Sequence, residues 1–113
     1  MRLKEMNWIP VGNLEDIPQQ GSRVISTSKG EIALFRTLED EIFAIDNRCP
    51  HKGGPLSQGI VHGKRVTCPL HNWVISLASG EALAPDTGCT HRHEVRQNHG
   101  VLFLAVDAPS SKE

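Results

Sequence analysis

A chain of 113 residues, with 12 Lys and Arg against 13 Asp and Glu, has a net charge of −1 and suffices for one hydrophobic core but not for a second domain with its own. Its cations are scattered and nearly balanced, so neither nucleic acid nor an anionic membrane is indicated as a partner. No apolar run approaches the length of a membrane span, and Met1-Arg2-Leu3-Lys4-Glu5-Met6-Asn7 lacks the apolar stretch of a signal peptide, so the expected location is cytoplasmic.

Taken in order, residues 8–12 read as a short strand whose Pro10 suits a sheet edge, because proline cannot donate to a ladder. Residues 13–18 offer a cap and acidic residues, but Pro18 stops any helix within a turn, which leaves a connector. The β-branched run 23–27, a turn at Ser28-Lys29-Gly30 and a return over 31–37 predict a hairpin. A polar turn follows, and residues 42–46 form a strand that delivers the chain to Arg48 and Cys49. Farther on, Ser57 to Val61 leads to a tight reversal at His62-Gly63-Lys64, and residues 65–67 return toward Cys68. Residues 73–77 resume strand character, Ala78-Ser79-Gly80 turns, residues 93–97 alternate, Asn98-His99-Gly100 turns again, and residues 101–106 form a buried last strand. The tail 108–113 is expected to be disordered.

Apolar residues fall on both parities of the early strands, as expected where both faces are covered, and no stretch shows a convincing 3.6-residue period. The expected fold class is all-β, an antiparallel sandwich or small barrel.

The chemistry is concentrated between Cys49 and His71. Cys49-Pro50-His51-Lys52-Gly53-Gly54-Pro55 and Cys68-Pro69-Leu70-His71-Asn72-Trp73 are two turns that each supply one thiolate and one imidazole. A structural zinc site usually pairs two cysteines and then two histidines, whereas each turn here mixes the types. That mixture suits a binuclear centre, although a zinc site of two cysteines and two histidines remains open on spacing alone.

Cys49-x-His51, sixteen residues and then Cys68-x-x-His71 resembles the signature of Rieske 2Fe-2S domains, in which two histidines replace two cysteines on one iron. The resemblance covers roughly Trp8 to Val106 and is most specific in the two loops. It implies that Cys49 and Cys68 hold the inner iron and His51 and His71 the outer one. It also implies a β framework carrying a smaller cluster-binding subdomain over about 47–77 within a single domain 1–113. Gly53, Gly54 and Pro55 would let the first loop turn tightly and bring backbone N–H groups to the sulfurs.

High-potential members of the family carry an extra cysteine in each loop and two hydroxyl donors. Gly54, Leu70, Trp73 and Ile75 occupy those places here. The potential is therefore expected nearer −150 mV than +300 mV, the ends of the Rieske range.

The run Cys68-Pro69-Leu70-His71-Asn72-Trp73-Val74-Ile75 through Gly80-Glu81-Ala82 is similar to the small subunit of assimilatory NAD(P)H-dependent nitrite reductase. That resemblance implies a large partner subunit carrying flavin, sirohaem and a 4Fe-4S cluster, where nitrite becomes ammonium. A free Rieske ferredoxin serving an aromatic-ring dioxygenase is the alternative, and a zinc-stabilised interaction module is a third. No unassigned His, Asp or Ser forms a catalytic pair by spacing, so no catalytic residue is expected. Cys89, in a turn that passes near the cluster, is expected to be an inert, partly buried thiol. His62 is expected to be solvated at its turn, and His91, His93 and His99 to be surface residues without a paired donor.

Overall fold

The computed structural model describes residues 6–27, 30–50, 54–69, 72–84 and 86–107. The strands are β1 (Met6–Asn13), β2 (Ser22–Thr27), β3 (Gly30–Arg36), β4 (Ile42–Asp46), β5 (Ile60–His62), β6 (Arg65–Thr67), β7 (Val74–Ser76), β8 (Arg92–His93), β9 (Val95–Asn98) and β10 (Val101–Asp107). They form three sheets, ordered β1-β10-β9, β2-β3-β4-β8 and β5-β6-β7. Every strand pair among the described residues is antiparallel, and no described segment is α-helical. The all-β expectation therefore holds. No helix of the described chain is long and apolar enough to cross a membrane. The tail 108–113 lies outside the described residues.

The hairpin of β2 and β3 forms where the β-branched run places it, with Val24 opposite Ala33 and Ile25 opposite Ile32, while Ser28 and Lys29 of its expected turn lie outside the described residues. Among the described residues β1 pairs only with β10, and it has a register shift between Pro10 and Gly12, in keeping with the edge position that suits a proline. One expectation fails over residues 93–97. The chain breaks at Glu94, so β8 joins the central sheet beside β4 while β9 pairs with β10 in another. The Glu94 carbonyl accepts from the Ala105 N–H at 3.0 Å, so this crossing residue remains hydrogen-bonded.

β3 explains the mixed parity. Ile32 and Leu34 join Ala44, Ile17, Leu102 and Leu104 in one apolar cluster. Ala33 and Phe35 join Ile45 and residues of the third sheet in another. The central sheet is thus buried on both faces. Fully burying one such Leu or Phe stabilises the fold by roughly 1.5–3 kcal/mol.

Arg36 fastens the connector to this framework. Its Nη1 donates to the carbonyls of Leu14 at 3.2 Å and Ile17 at 2.7 Å, and its Nε donates to Asp40 Oδ1 at 2.9 Å. The hydrogen bond from Arg36, and then the one from Gln19, holds the Asp40 carboxyl below the usual carboxylate range. A depressed carboxylate adds stability above its unfolded pKa and loses it as pH falls through the folded one. Asp40 has φ 67, which Asn tolerates, so Asp40→Asn isolates the charge. Thermal melts of the two proteins should differ slightly at neutral pH and converge as the solution is acidified. Curves that stay parallel down to pH 2 would show that this carboxylate does not contribute.

Candidate metal centre

The two predicted loops are built alike. The Cys49 N–H donates to the Gly54 carbonyl at 2.8 Å, and the Cys68 N–H donates to the Trp73 carbonyl at 2.7 Å. Each cysteine is thereby tied to the residue five positions on. In the second loop the Asn72 N–H also donates back to the Cys68 carbonyl at 3.1 Å, with Asn72 at φ 60. Asn can adopt this left-handed backbone more readily than most residues.

Both cysteines lie at the base of their loops, 3% and 1% exposed, within the apolar cluster that contains Phe35, Ile45, Leu56, Val66 and Ile75. Two soft sulfur donors in one apolar nest, shielded from water, suit an iron–sulfur group. His51 and His71, the other two predicted donors, lie outside the described residues, as do Lys52, Gly53 and Leu70. Among the described residues no three His, Cys, Asp or Glu side chains converge on a metal position. Ile75, at one of the places where high-potential relatives are expected to carry a hydroxyl, is fully buried.

Sequence reasoning missed Asn47, two residues before Cys49. It is 7% exposed, and its hydrogen bonds join three segments. Its N–H donates to the Glu31 carbonyl at 2.9 Å and its Nδ2 to Glu31 Oε1 at 3.1 Å, while its Oδ1 accepts from the Ser57 N–H at 2.7 Å. Ser22 Oγ in turn donates to the Ser57 carbonyl at 2.6 Å. These bonds fix both flanks of the first loop to β2 and β3, and the only hint in the sequence is a polar residue where a strand ends.

A third segment leans on both loops, as expected for the turn carrying Cys89. A Cβ at Gly88 would stand 3.2 Å from Pro50 Cβ and 4.0 Å from Trp73 Cζ3. Backbone bonds hold the segment there, from Ala82 N–H to the Gly88 carbonyl at 2.9 Å and from Thr90 N–H to the Gly80 carbonyl at 2.8 Å. Cys89 itself is exposed, not partly buried. Its neighbour Thr90 faces inward, and alternation along an extended segment turns Cys89 outward.

Two histidine expectations also need correction. His62 is half-buried, with Nε2 2.7 Å from Thr67 Oγ1 across the β5–β6 hairpin. His93 is half-buried and does have a partner, since its Nε2 lies 2.7 Å from Asp46 Oδ1. The His91 ring packs edge-on against His93 at 4.5 Å, and both His91 and His99 are exposed as expected.

The family model described as Rieske [2Fe-2S] domain matches residues 7–94. The chain belongs to this family: it is a Rieske electron-transfer protein, and its cofactor is a Rieske-type 2Fe-2S cluster. When bound, such a cluster accepts and releases an electron; Cys49 and Cys68, in their apolar nest, are residues that would hold it.

Two kinds of relative resemble it. The ferredoxin component of the naphthalene 1,2-dioxygenase/salicylate 5-hydroxylase systems of Ralstonia sp is 38% identical over 77 residues, 68% of this chain and 73% of that one. A Mycobacterium tuberculosis chain described as an NADH-dependent nitrite reductase small subunit shares the fold with a TM-score of 0.83 at 20% identity, covering 93% of this chain and 99% of that one. The ferredoxin of carbazole 1,9a-dioxygenase from Nocardioides aromaticivorans IC177 shares it with a TM-score of 0.78 at 20% identity, over 86% and 95%. Some curated relatives are much longer, and the chain spans 20% of the length of the oxidoreductase NdmD of Pseudomonas putida, for example, whereas it spans 77% of a naphthalene 1,2-dioxygenase ferredoxin component of Pseudomonas aeruginosa.

Proposed function

We propose that this chain is the Rieske subunit of an assimilatory NAD(P)H-dependent nitrite reductase, a non-catalytic cytoplasmic electron carrier bound to a large flavin- and sirohaem-bearing subunit. In this reading Cys49 and Cys68 hold the inner iron and His51 and His71 the outer one, in a cluster-binding subdomain over about 47–77 of a single domain. The observation that carries the ligand assignment is the matched pair of loops. Each is anchored on a buried cysteine and closed five residues on, and each spans one of the two histidines in sequence.

The nitrite reductase assignment is supported by the Cys68 to Ile75 run, and the fold shared with a nitrite reductase small subunit accommodates it, although dioxygenase ferredoxins share that fold too. Trp73 in that run closes the second loop and packs on the core. A second reading, a ferredoxin for an aromatic-ring dioxygenase, is favoured by the 38% identity to a dioxygenase ferredoxin component.

Mixing the cluster-loaded chain with a purified large nitrite reductase subunit separates them. A complex that survives gel filtration and supports NAD(P)H-driven ammonium formation is the expected result. Absence of a complex, with rapid reduction by a dioxygenase reductase, would favour the ferredoxin reading. Zinc in place of iron and sulfide would overturn both.

A further inference from the structure

The outer face of the β1-β10-β9 sheet is the part of the molecule that the cluster does not use. Its inner face packs on the central sheet through Leu102 and Leu104, and the cysteines lie beyond the central sheet's other face. With packed sheets about 10 Å apart, the outer face is roughly 20 Å from the cysteines.

That face carries an open groove of about 310 Å³ lined by Trp8, Arg96, Gln97, Asn98 and Phe103. The Arg96 guanidinium carbon sits 4.4 Å from the Trp8 ring centroid. Register pairing puts Trp8 opposite Ala105, and Phe103 between Pro10 and Arg96. Ala105 faces this side yet is only 2% exposed, while Trp8 is 37% exposed. Arg23, Arg36 and Arg92 each pair with a carboxylate, whereas Arg48, Arg65 and Arg96 have no carboxylate partner among the described residues, and of these three Arg96 is the one seated over an aromatic ring. A guanidinium held over an indole by its central carbon leaves its N–H donors available in the fork that suits a carboxylate. The exposed indole and half-buried Phe103 add apolar area that a free anion would not cover but a peptide segment would.

We infer that this groove anchors a carboxylate-bearing segment of the large subunit, a contact separate from the electron port. The inference rests on the nitrite reductase reading. A carrier anchored on a remote face can stay bound while its cluster loops approach and leave an acceptor, whereas a shuttling ferredoxin needs only the loops.

The test is titration calorimetry of the cluster-loaded chain against the purified large subunit, with wild type, Arg96→Glu and Arg96→Lys compared. Arg96→Glu should weaken binding at least about tenfold and reduce its salt dependence, and Arg96→Lys should weaken it less. The electron-transfer rate at saturating large subunit should not change, nor should iron content, and the melting temperature should fall only by the few degrees that loss of the Trp8 contact implies. Equal affinities for wild type and Arg96→Glu would overturn the anchor alone. A slower rate at saturation would place the groove in the electron port and overturn it too. A wild-type dimer that Arg96→Glu dissociates in sedimentation would give the face to a second copy. No binding by wild type would overturn the nitrite reductase reading and the anchor with it.

Discussion

Replacing Cys68 with Ser is expected to leave the purified protein without iron, acid-labile sulfide or visible colour. Cys68 is 1% exposed, in the same apolar cluster as Cys49, and its loop is closed through its own N–H. A serine there offers a hard, protonated oxygen in place of a thiolate, a poor match for iron of this type. It also leaves a hydroxyl in apolar surroundings, at about 1–3 kcal/mol if nothing pairs with it. The effect should therefore appear in both metal content and stability. Cys89→Ser is the control, because that thiol is exposed and should leave iron content unchanged. Iron and sulfide analysis, with EPR of the dithionite-reduced proteins, reads both. A Cys68→Ser protein with a full complement of iron would remove Cys68 from the ligand set.

The second large effect is expected at Gly80. This residue has φ +80, and a Cβ added to it would come 2.3 Å from the Thr90 carbonyl oxygen. The left-handed backbone costs a non-glycine residue about 1–2 kcal/mol, and crowding against fixed backbone adds about 1–3 kcal/mol. Gly80 also donates to the Ser76 carbonyl at 2.7 Å and accepts from Thr90 at 2.8 Å, so the backbone cannot retreat without breaking bonds at the turn. Gly80→Ala should lower the melting temperature by on the order of 10 °C or more, at roughly 4–8 °C per kcal/mol for a domain of this size. Gly100→Ala separates the two causes, since Gly100 has φ +83 with nothing within 4 Å of the added Cβ. It should show only the backbone part. Equal losses at the two positions would mean that the contact with Thr90 is unimportant.

The parts of this molecule legible from the sequence were those written in short-range pattern. The β2–β3 hairpin followed from a β-branched run and a glycine turn, and β4 from an apolar run between polar turns. The two cysteines were found by spacing, and the structure places both at the base of closed loops in one core. Relations between distant residues were not legible. Asp46 and His93 are 47 positions apart, and nothing local to either announces the other. Glu94 moves the chain from one sheet to another within an alternating stretch that looks like a single strand. Asn47 resembles any polar strand end until Glu31 and Ser57 are seen beside it. Trp8 and Arg96 meet only because β10 brings β1 and β9 together.

β3 has a consequence for any attempt to transplant the cluster. Alternate side chains of this one strand furnish the floor of the half that contains Cys49 and Cys68 and the ceiling of the other. A peptide cut from residues 47–77 would leave behind Ala33, Phe35 and Ile45, and expose the buried surface that they had covered. The segment is an inseparable storey of the building, and grafting it into a host would require a matching apolar sheet already waiting there.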